Sequence, residues 1–299
     1  MKAQYPLAFA LLSVLARLPM PLLRAVGWCF GSLAYGLNAS RRRTTRTNLR
    51  LAFPEFSEVR IRGLCKAHLR NLGMALLDRV WLWFAPLPTV YARLSFAGLE
   101  HMPQVGANAR ASILLVPHFA GLDAAWPAWV AARVKAGEVP PALTTIFQPQ
   151  STAWEDALFR HGRGRFAPIT QYTRHEGIRP VMKALKAGSA YYCLPDNDFG
   201  SKDAVFVPFF GVPAATLTVL PRLSSALNAR VIPVIAKMTP QGYAIQALPA
   251  WDHLQGESVE VYCAQMNAAI ENWVRPMPEQ YLFSHRRYKT RPPGEPSVY

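Results

Sequence analysis

The chain is short of negative charge. Its 299 residues hold 18 Asp+Glu against 33 Lys+Arg, a formal net charge of +15, and charged residues of both signs make up only 17%. That balance is lean for a freely soluble protein, and it calls for a polyanionic neighbour: nucleic acid, anionic lipid headgroups or an acidic carrier protein. Cysteine is also scarce. Cys29, Cys65, Cys193 and Cys263 are widely spaced, with no CxxC and no Cys/His ligand pattern, which argues against a disulfide framework or a zinc site and for buried thiols in a reducing compartment. The sequence has no clean apolar run of the roughly 20 residues that a membrane-spanning helix needs. It also lacks the A-x-A cleavage pattern of a signal peptide. No internal repeat or low-complexity stretch is evident.

What is present is unevenly placed. Residues 1–80 carry 13 Lys+Arg against 3 Asp+Glu, so ten of the fifteen net charges lie in the first quarter. The segment from Pro6 to Asn38 is apolar but broken by Arg17, Pro19, Pro21 and Arg24. It reads as a helix pair lying in a membrane interface with its arginines snorkelling, as one imperfect span near Val26–Ala39, or as the buried hairpin of a soluble protein. In the membrane readings Arg41, Arg42, Arg43, Arg46 and Arg50 face cytoplasmic headgroups. Apolar segments beside basic ones favour a lipid surface over nucleic acid, whose binders interleave basic and aromatic residues on a polar background. The organisation expected is a membrane-associating helical segment over residues 1–40 and a single α/β domain over 41–299.

"FSEVRIRGLCKAHLRNLGMALLDRVWLW" spaces its apolar residues as an amphipathic helix, with Ser57 as N-cap. Its Trp81, Trp83 and Phe84 suit either a core or a membrane interface. Five later runs read as strands: "ASILLVPHF", "TTIFQP", "SAYYCLPD", "AVFVPFF" and "RVIPVIAKM". Helical candidates alternate with most of them, over Ala124–Lys135, Ser151–His161, Ile178–Ala187 and Ala215–Leu227. The fold class expected is α/β, a largely parallel or mixed sheet flanked by helices. Ligands of such sheets bind beyond the carboxyl ends of the strands. That places His118, Asp196 and Asp198 on one rim.

"PHFAGLD" sets His118 and Asp123 five residues apart. On one continuous helix they would point roughly 140° apart and never meet. They meet only if His118 sits on a strand-to-helix turn, which Gly121 permits, and Asp123 lies in the helix that follows. Asp123 would then accept from one ring nitrogen and leave the other as a base. Pro127 either costs that helix its bond to the Asp123 carbonyl or marks where regular helix begins. Taken alone, H-x4-D is equally a satisfied structural histidine.

The motif in a basic α/β chain resembles the glycerolipid acyltransferase superfamily. Beyond it, the chain is similar to the bacterial lipid A late acyltransferases, the lauroyl/myristoyl acyltransferase family. The resemblance runs through "LPMPLLRAVGWCFGSLAYGL", "RRRTTRTNLRLAFPEFSE", "HLRNLGMALLD", "HFAGLD", "PVMKALKAGSAYYCLPDNDFG", "VFVPFFGVPAATLT" and "PEQYLFSHRRYKTRPPGE".

The resemblance implies an inner-membrane enzyme of lipopolysaccharide biosynthesis, with its catalytic domain on the cytoplasmic face. It implies transfer of a fatty acyl group from acyl carrier protein to the 3-hydroxyl of an acyl chain on a lipid A precursor. A thioester donor needs no metal or other cofactor. His118 would be the base, and Asp123 would fix its tautomer. The family's "YRP"-like arginine has no counterpart here, because Gln148 stands in "IFQPQ". Arg163 and Arg165 remain as ligands for lipid phosphate or sugar oxygens, or as a solvated basic loop. Asp196 and Asp198 in "PDNDFG" read as substrate-positioning groups or as an Asx turn, and two carboxylates are weak grounds for a metal. "VFVPFFGVPAAT" could wall an acyl pocket or be core. His285, Arg286, Arg287, Lys289 and Arg291 form a basic patch suited to an acidic carrier, to lipid phosphates or to a solvated tail. An acyltransferase for another lysolipid or aminolipid and a non-catalytic membrane-surface protein are the other readings.

Overall fold

The computed structural model describes residues 5–103, 110–140 and 142–299. Two apolar helices come first, α1 (Pro6–Leu15) and α2 (Met20–Leu37), followed by α3 (Ala39–Ala52), α4 (Glu58–Phe84) and the short α5 (Leu87–Tyr91). Then strands and helices alternate: β1 (Leu94–Ala97), β2 (Ser112–Leu115), α6 (Leu122–Lys135), β3 (Leu143–Phe147), α7 (Ala153–Gly164), β4 (Ile169–Thr173), α8 (Arg179–Lys186) and β5 (Ala190–Cys193). The chain continues as β6 (Ala204–Phe209), β7 (Val212–Leu217), α9 (Val219–Leu227), β8 (Arg230–Thr239), β9 (Gly242–Ala247) and α10 (Val259–Val274).

The expected α/β class is present as a seven-stranded sheet in the order β1-β9-β8-β2-β5-β3-β4. Every pair is parallel except the β8–β9 hairpin. The sheet separates two cores, as the period of two in its strands requires. Leu114, Tyr192 and Ile232 face Trp126 and Trp129 of α6, while Ile113, Leu115, Tyr191 and Val231 face Tyr262, Met266 and Ile270 of α10.

Two expectations fail at "AVFVPFFGVPAATLT". The run at 204–210 is not a strand of the main sheet, and the helix expected over Ala215–Leu227 begins only at Val219. Residues 204–217 form a separate antiparallel hairpin, β6–β7. Its turn is Phe210 at φ 51° and Gly211 at φ 73°, the two positive values of a tight two-residue hairpin turn. Pro208 and Pro213 sit opposite each other and donate nothing to any further strand.

Ser57 caps α4 as expected, its side chain accepting from the Arg60 N–H. Trp81 and Trp83 are buried, which settles their place in the core. Helix α2 crosses α4 at backbone contact: a Cβ on Gly73 would lie 2.1 Å from the Gly27 carbonyl oxygen. Arg24 does not snorkel outward. It turns inward to Asp78 with Nε to Oδ2 at 2.9 Å, donates to the Gly242 carbonyl at 3.1 Å, and shares Asp78 with the Tyr243 hydroxyl at 2.6 Å. The buried pair is tolerated because the guanidinium donates to Asp78 and to the loop carbonyls, while Asp78 Oδ2 accepts from both Arg24 and the Tyr243 hydroxyl.

The outer faces of α1 and α2 are apolar. Leu7, Leu11 and Val14 on α1, and Leu22, Val26, Phe30, Leu33 and Leu37 on α2, are exposed. Among the described residues no single helix is long and apolar enough to cross a membrane, and α1 and α2 are bent by 109° from each other. The inner side of α1 is aromatic, with Phe9 against Phe84, Trp154 and His161 at ring distances of 5.5, 5.7 and 4.9 Å. In the basic cluster, Arg42 bonds the last carbonyls of α2 and Arg50 pairs with Glu58, while Arg41 and Arg43 are exposed. Among the cysteines Cys65, Cys193 and Cys263 are buried as expected, but Cys29 is exposed on α2.

Candidate active site

Strands β2 and β5 are parallel neighbours paired Leu115 to Cys193. Counting three residues past each brings His118 and Asp196 to the same rim. Pro117 ends the ladder there, after the Val116 N–H has bonded the Cys193 carbonyl. The His118 turn is then clamped from far along the chain. Leu282 donates to the His118 carbonyl at 3.0 Å, and Ala120 donates to the Gln280 carbonyl at 2.8 Å. Gly121 has an ordinary φ of −85°, so it is not needed for a left-handed turn. It is needed for space, because a Cβ there would stand 2.9 Å from the Ala236 carbonyl oxygen.

The carboxylate that orients His118 is Asp196, and this corrects the expectation that Asp123 does so. His118 Nδ1 lies 2.6 Å from Asp196 Oδ1, and the His118 backbone N–H donates to Oδ2 at 2.9 Å. Asp196 is buried. Burial raises its carboxyl, but the His118 ring and the two His118 hydrogen bonds outweigh this and hold it below the ordinary carboxylate value. An ionised carboxylate only accepts, so Nδ1 carries the proton and a neutral ring has its lone pair on Nε2. Nε2 faces the Asn197 amide at 3.1 Å. The Tyr281 phenol is raised well above its ordinary value by burial and by Asp196, which keeps it a neutral hydroxyl.

Asp123 does lie on the first turn of α6, as the strand-to-helix reading requires, but its carboxylate makes no hydrogen bond to His118. Its Oδ2 accepts from Arg79 Nε at 2.6 Å, and Arg163 stands 3.8 Å from Oδ1. Burial would raise this carboxyl too; Arg79 and Arg163 overcome that and lower it. Pro127 falls inside α6, so the helix forgoes its bond to the Asp123 carbonyl. Sequence reasoning missed Arg79 and Asn197. Nothing in the spacing of the amphipathic helix singles out Arg79, and Asn197 lay unweighed between two aspartates.

The other expected residues separate. Arg163 lines the same cavity as His118. Arg165 does not: it donates to the Leu82 and Ala85 carbonyls at 3.0 and 2.7 Å, capping the end of α4. Asp198 is buried and accepts from Gly200 N–H, Thr290 N–H and the Thr290 hydroxyl, tying its loop to the C-terminal segment. Asp198 therefore forms the turn, and it is not among the residues lining the His118 cavity. The terminal basic patch is also largely committed. His285 is pushed down to about 4, first by burial and then by His118, Lys289 and Arg287, and its Nε2 accepts from the Asp198 N–H. Arg287 is buried on the Ala215 carbonyl and the Thr216 hydroxyl, and Arg291 donates to the Pro213 carbonyl.

His118, Asp123, Arg79, Arg163 and Asn197 share one cavity of about 630 Å³. It runs from this polar end to an apolar wall that includes Leu122, Trp126, Leu143 and Ile169. Both ends of β3, Leu143 and Phe147, line it, so it follows the strand for ~13 Å. The hairpin once expected to wall an acyl pocket contributes only Leu217 of β7. A base at the mouth of an apolar slot is an arrangement for deprotonating a hydroxyl beside a long aliphatic group.

Comparisons with known proteins agree. A family model described as bacterial lipid A biosynthesis acyltransferase matches residues 2–290. The lipid A biosynthesis lauroyltransferase of Escherichia coli (strain K12) is 31% identical, over 98% of this chain and 94% of its own length. The palmitoleoyltransferase of the same organism is 31% identical over 95% and 90%, and its myristoyltransferase 30% over 90% and 81%. The match spans the helices that precede the sheet, the His118 turn and most of the C-terminal segment that clamps it, and on that extent the chain belongs to the bacterial lipid A biosynthesis acyltransferase family.

Proposed function

We propose that the protein transfers a fatty acyl group from the thioester of acyl carrier protein to a hydroxyl on an acyl chain of a lipid A precursor. The observation that carries this reading is the His118 Nδ1–Asp196 contact of 2.6 Å at the mouth of the apolar cavity. Asp196 holds the imidazole in the tautomer whose Nε2 is a base. Nε2 takes the proton of the attacking hydroxyl, and the thioester carbonyl accepts the new C–O bond. A thioester is reactive enough that removing the hydroxyl proton is the main demand on the enzyme, and such a base is worth about 10²–10⁴ in rate.

Acyl length is a property of the cavity wall and not of overall similarity. Three relatives named for lauroyl, palmitoleoyl and myristoyl groups lie at 31%, 31% and 30% identity. Mass spectrometry of lipid A from a strain lacking this gene tests the proposal. One secondary acyl chain disappears, and its mass identifies the chain. Unchanged lipid A would sink the reading and favour another lipid acceptor.

The apolar outer faces of α1 and α2 support a seat in the inner membrane, lying in the headgroup boundary with the catalytic domain on the cytoplasmic side. Arg41 and Arg43 lie close along the chain to those faces, which suits anionic lipid headgroups. Arg174 and Lys202 line the cavity and are exposed, which suits an acidic carrier protein. With Leu11→Glu and Leu33→Glu together, the protein should no longer float with anionic phospholipid vesicles. Full retention on the vesicles would place the membrane contact elsewhere.

A further inference from the structure

We propose that Arg79, a residue of α4 outside the H-x4-D motif, is the oxyanion donor of the reaction, and that Asp123 is a positioning residue acting through it. This rests on the reading of His118 as base.

Asp123 is buried and ionised, yet it faces two guanidinium groups, Arg79 and Arg163. At Asp123 one guanidinium charge is left over, and the cavity these groups share with His118 is also lined by Arg174, Lys202 and Asp203, so its excess stays positive. Uncompensated charge in a partly dry pocket is costly unless an anion joins it. Arg79 uses Nε against Asp123 at 2.6 Å, the length of a charge-assisted bond, while Arg163 stays at 3.8 Å. The four remaining N–H donors of Arg79 have no hydrogen-bond partner among the described residues. Its guanidinium carbon also sits 5.7 Å from the centre of the Phe159 ring. A donor group whose back edge is fixed and whose front edge is free is preorganised, which is the condition for stabilising charge that appears only in the transition state. Arg79 and His118 line the same cavity, which brings this guanidinium and the base to one bound substrate.

The step balances without another reagent. The acceptor hydroxyl gives its proton to His118 Nε2, and its oxygen forms a bond to the thioester carbonyl carbon. The C=O pair moves onto oxygen, and that oxyanion lies against the Arg79 Nη donors. Collapse restores C=O and breaks C–S, and the departing thiolate takes the proton from His118. The D in H-x4-D thus serves the electrophilic side of the reaction, while Asp196 serves the base.

The test uses the full chain with an acyl thioester of acyl carrier protein and a hydroxyacylated lipid A precursor. Arg79→Ala is expected to lower kcat by about 10²–10³. KM for the acceptor should stay within about threefold, and added guanidinium ion should restore at least about tenfold of the lost kcat, a rescue that a merely structural arginine would not show. Arg79→Gln, which keeps an amide donor near the Nε position for Asp123 but lacks the Nη groups, is the second variant if the alanine form does not fold; its kcat should fall likewise. A kcat within about threefold of the unaltered enzyme in either folded variant overturns the proposal. So does an unchanged kcat with a raised acceptor KM, which would make Arg79 a ground-state site for a lipid phosphate. His118→Ala is measured beside them. If it is inactive while the Arg79 variants are not, only this inference fails; if it too is active, the base reading fails with it.

Discussion

Asp196→Asn is expected to lower kcat by about 10²–10⁴ without unfolding the protein. The carboxylate accepts two N–H groups of one residue, the backbone and the Nδ1 of His118. An asparagine can accept one of them through its oxygen, but its amide nitrogen then opposes the other donor. The imidazole escapes that conflict by shifting its proton to Nε2, where no base remains. Losing one charge-assisted bond costs the fold about 1.5–3 kcal/mol, which thermal unfolding would register as a modest shift. Ring-nitrogen NMR of labelled His118 reads the tautomer directly. If Asp196→Asn keeps kcat near the starting value, Asp196 is not the orienting group. A double-mutant cycle sharpens the point. Because Asp196 acts through His118, the Asp196→Asn/His118→Ala pair should be no slower than His118→Ala alone.

His118→Ala removes the base itself and is expected to cost about 10²–10⁴ in kcat, with acceptor KM little changed. The substitution leaves Asp196 with its backbone N–H partner and trims a half-buried side chain, so the fold should persist. The Leu282 N–H bonds the His118 carbonyl and the Ala120 N–H bonds the Gln280 carbonyl, and both main-chain bonds are indifferent to the side chain. Exogenous imidazole, small enough for a cavity of about 630 Å³, should recover part of the rate. Activity of the alanine variant close to that of the unaltered enzyme would remove His118 from the chemistry.

Much of the architecture was legible locally. The short apolar runs at 112–115, 143–147, 190–193 and 230–239 are strands of one sheet, and the helix from Glu58 begins at its Ser57 cap. The short strands β1, β4 and β9 were not seen; Leu94–Ala97 is only four residues at a sheet edge, and Ile169–Thr173 is largely polar. The hairpin at 204–217 was misassigned in part because Ala215 and Thr216 fit a helix as readily as a strand, and only the partner strand at Ala204–Phe209 decides between them.

The sequence by itself determined the α/β class, the rim where His118 and Asp196 gather, and the need for a strand-to-helix turn in PHFAGLD. Those follow from periodicity, from proline and from the pitch of a helix, all of which act over a few residues. Only the tertiary structure decided which acid serves which group. His118 and Asp123 are five residues apart, but α6 starts between them and carries Asp123 toward α4 and α7. His118 and Asp196 are 78 apart, yet parallel pairing of β2 with β5 sets them side by side. Hydrogen bonds depend on distance and direction in space, and for this site both are set by strand register and helix docking rather than by spacing along the chain.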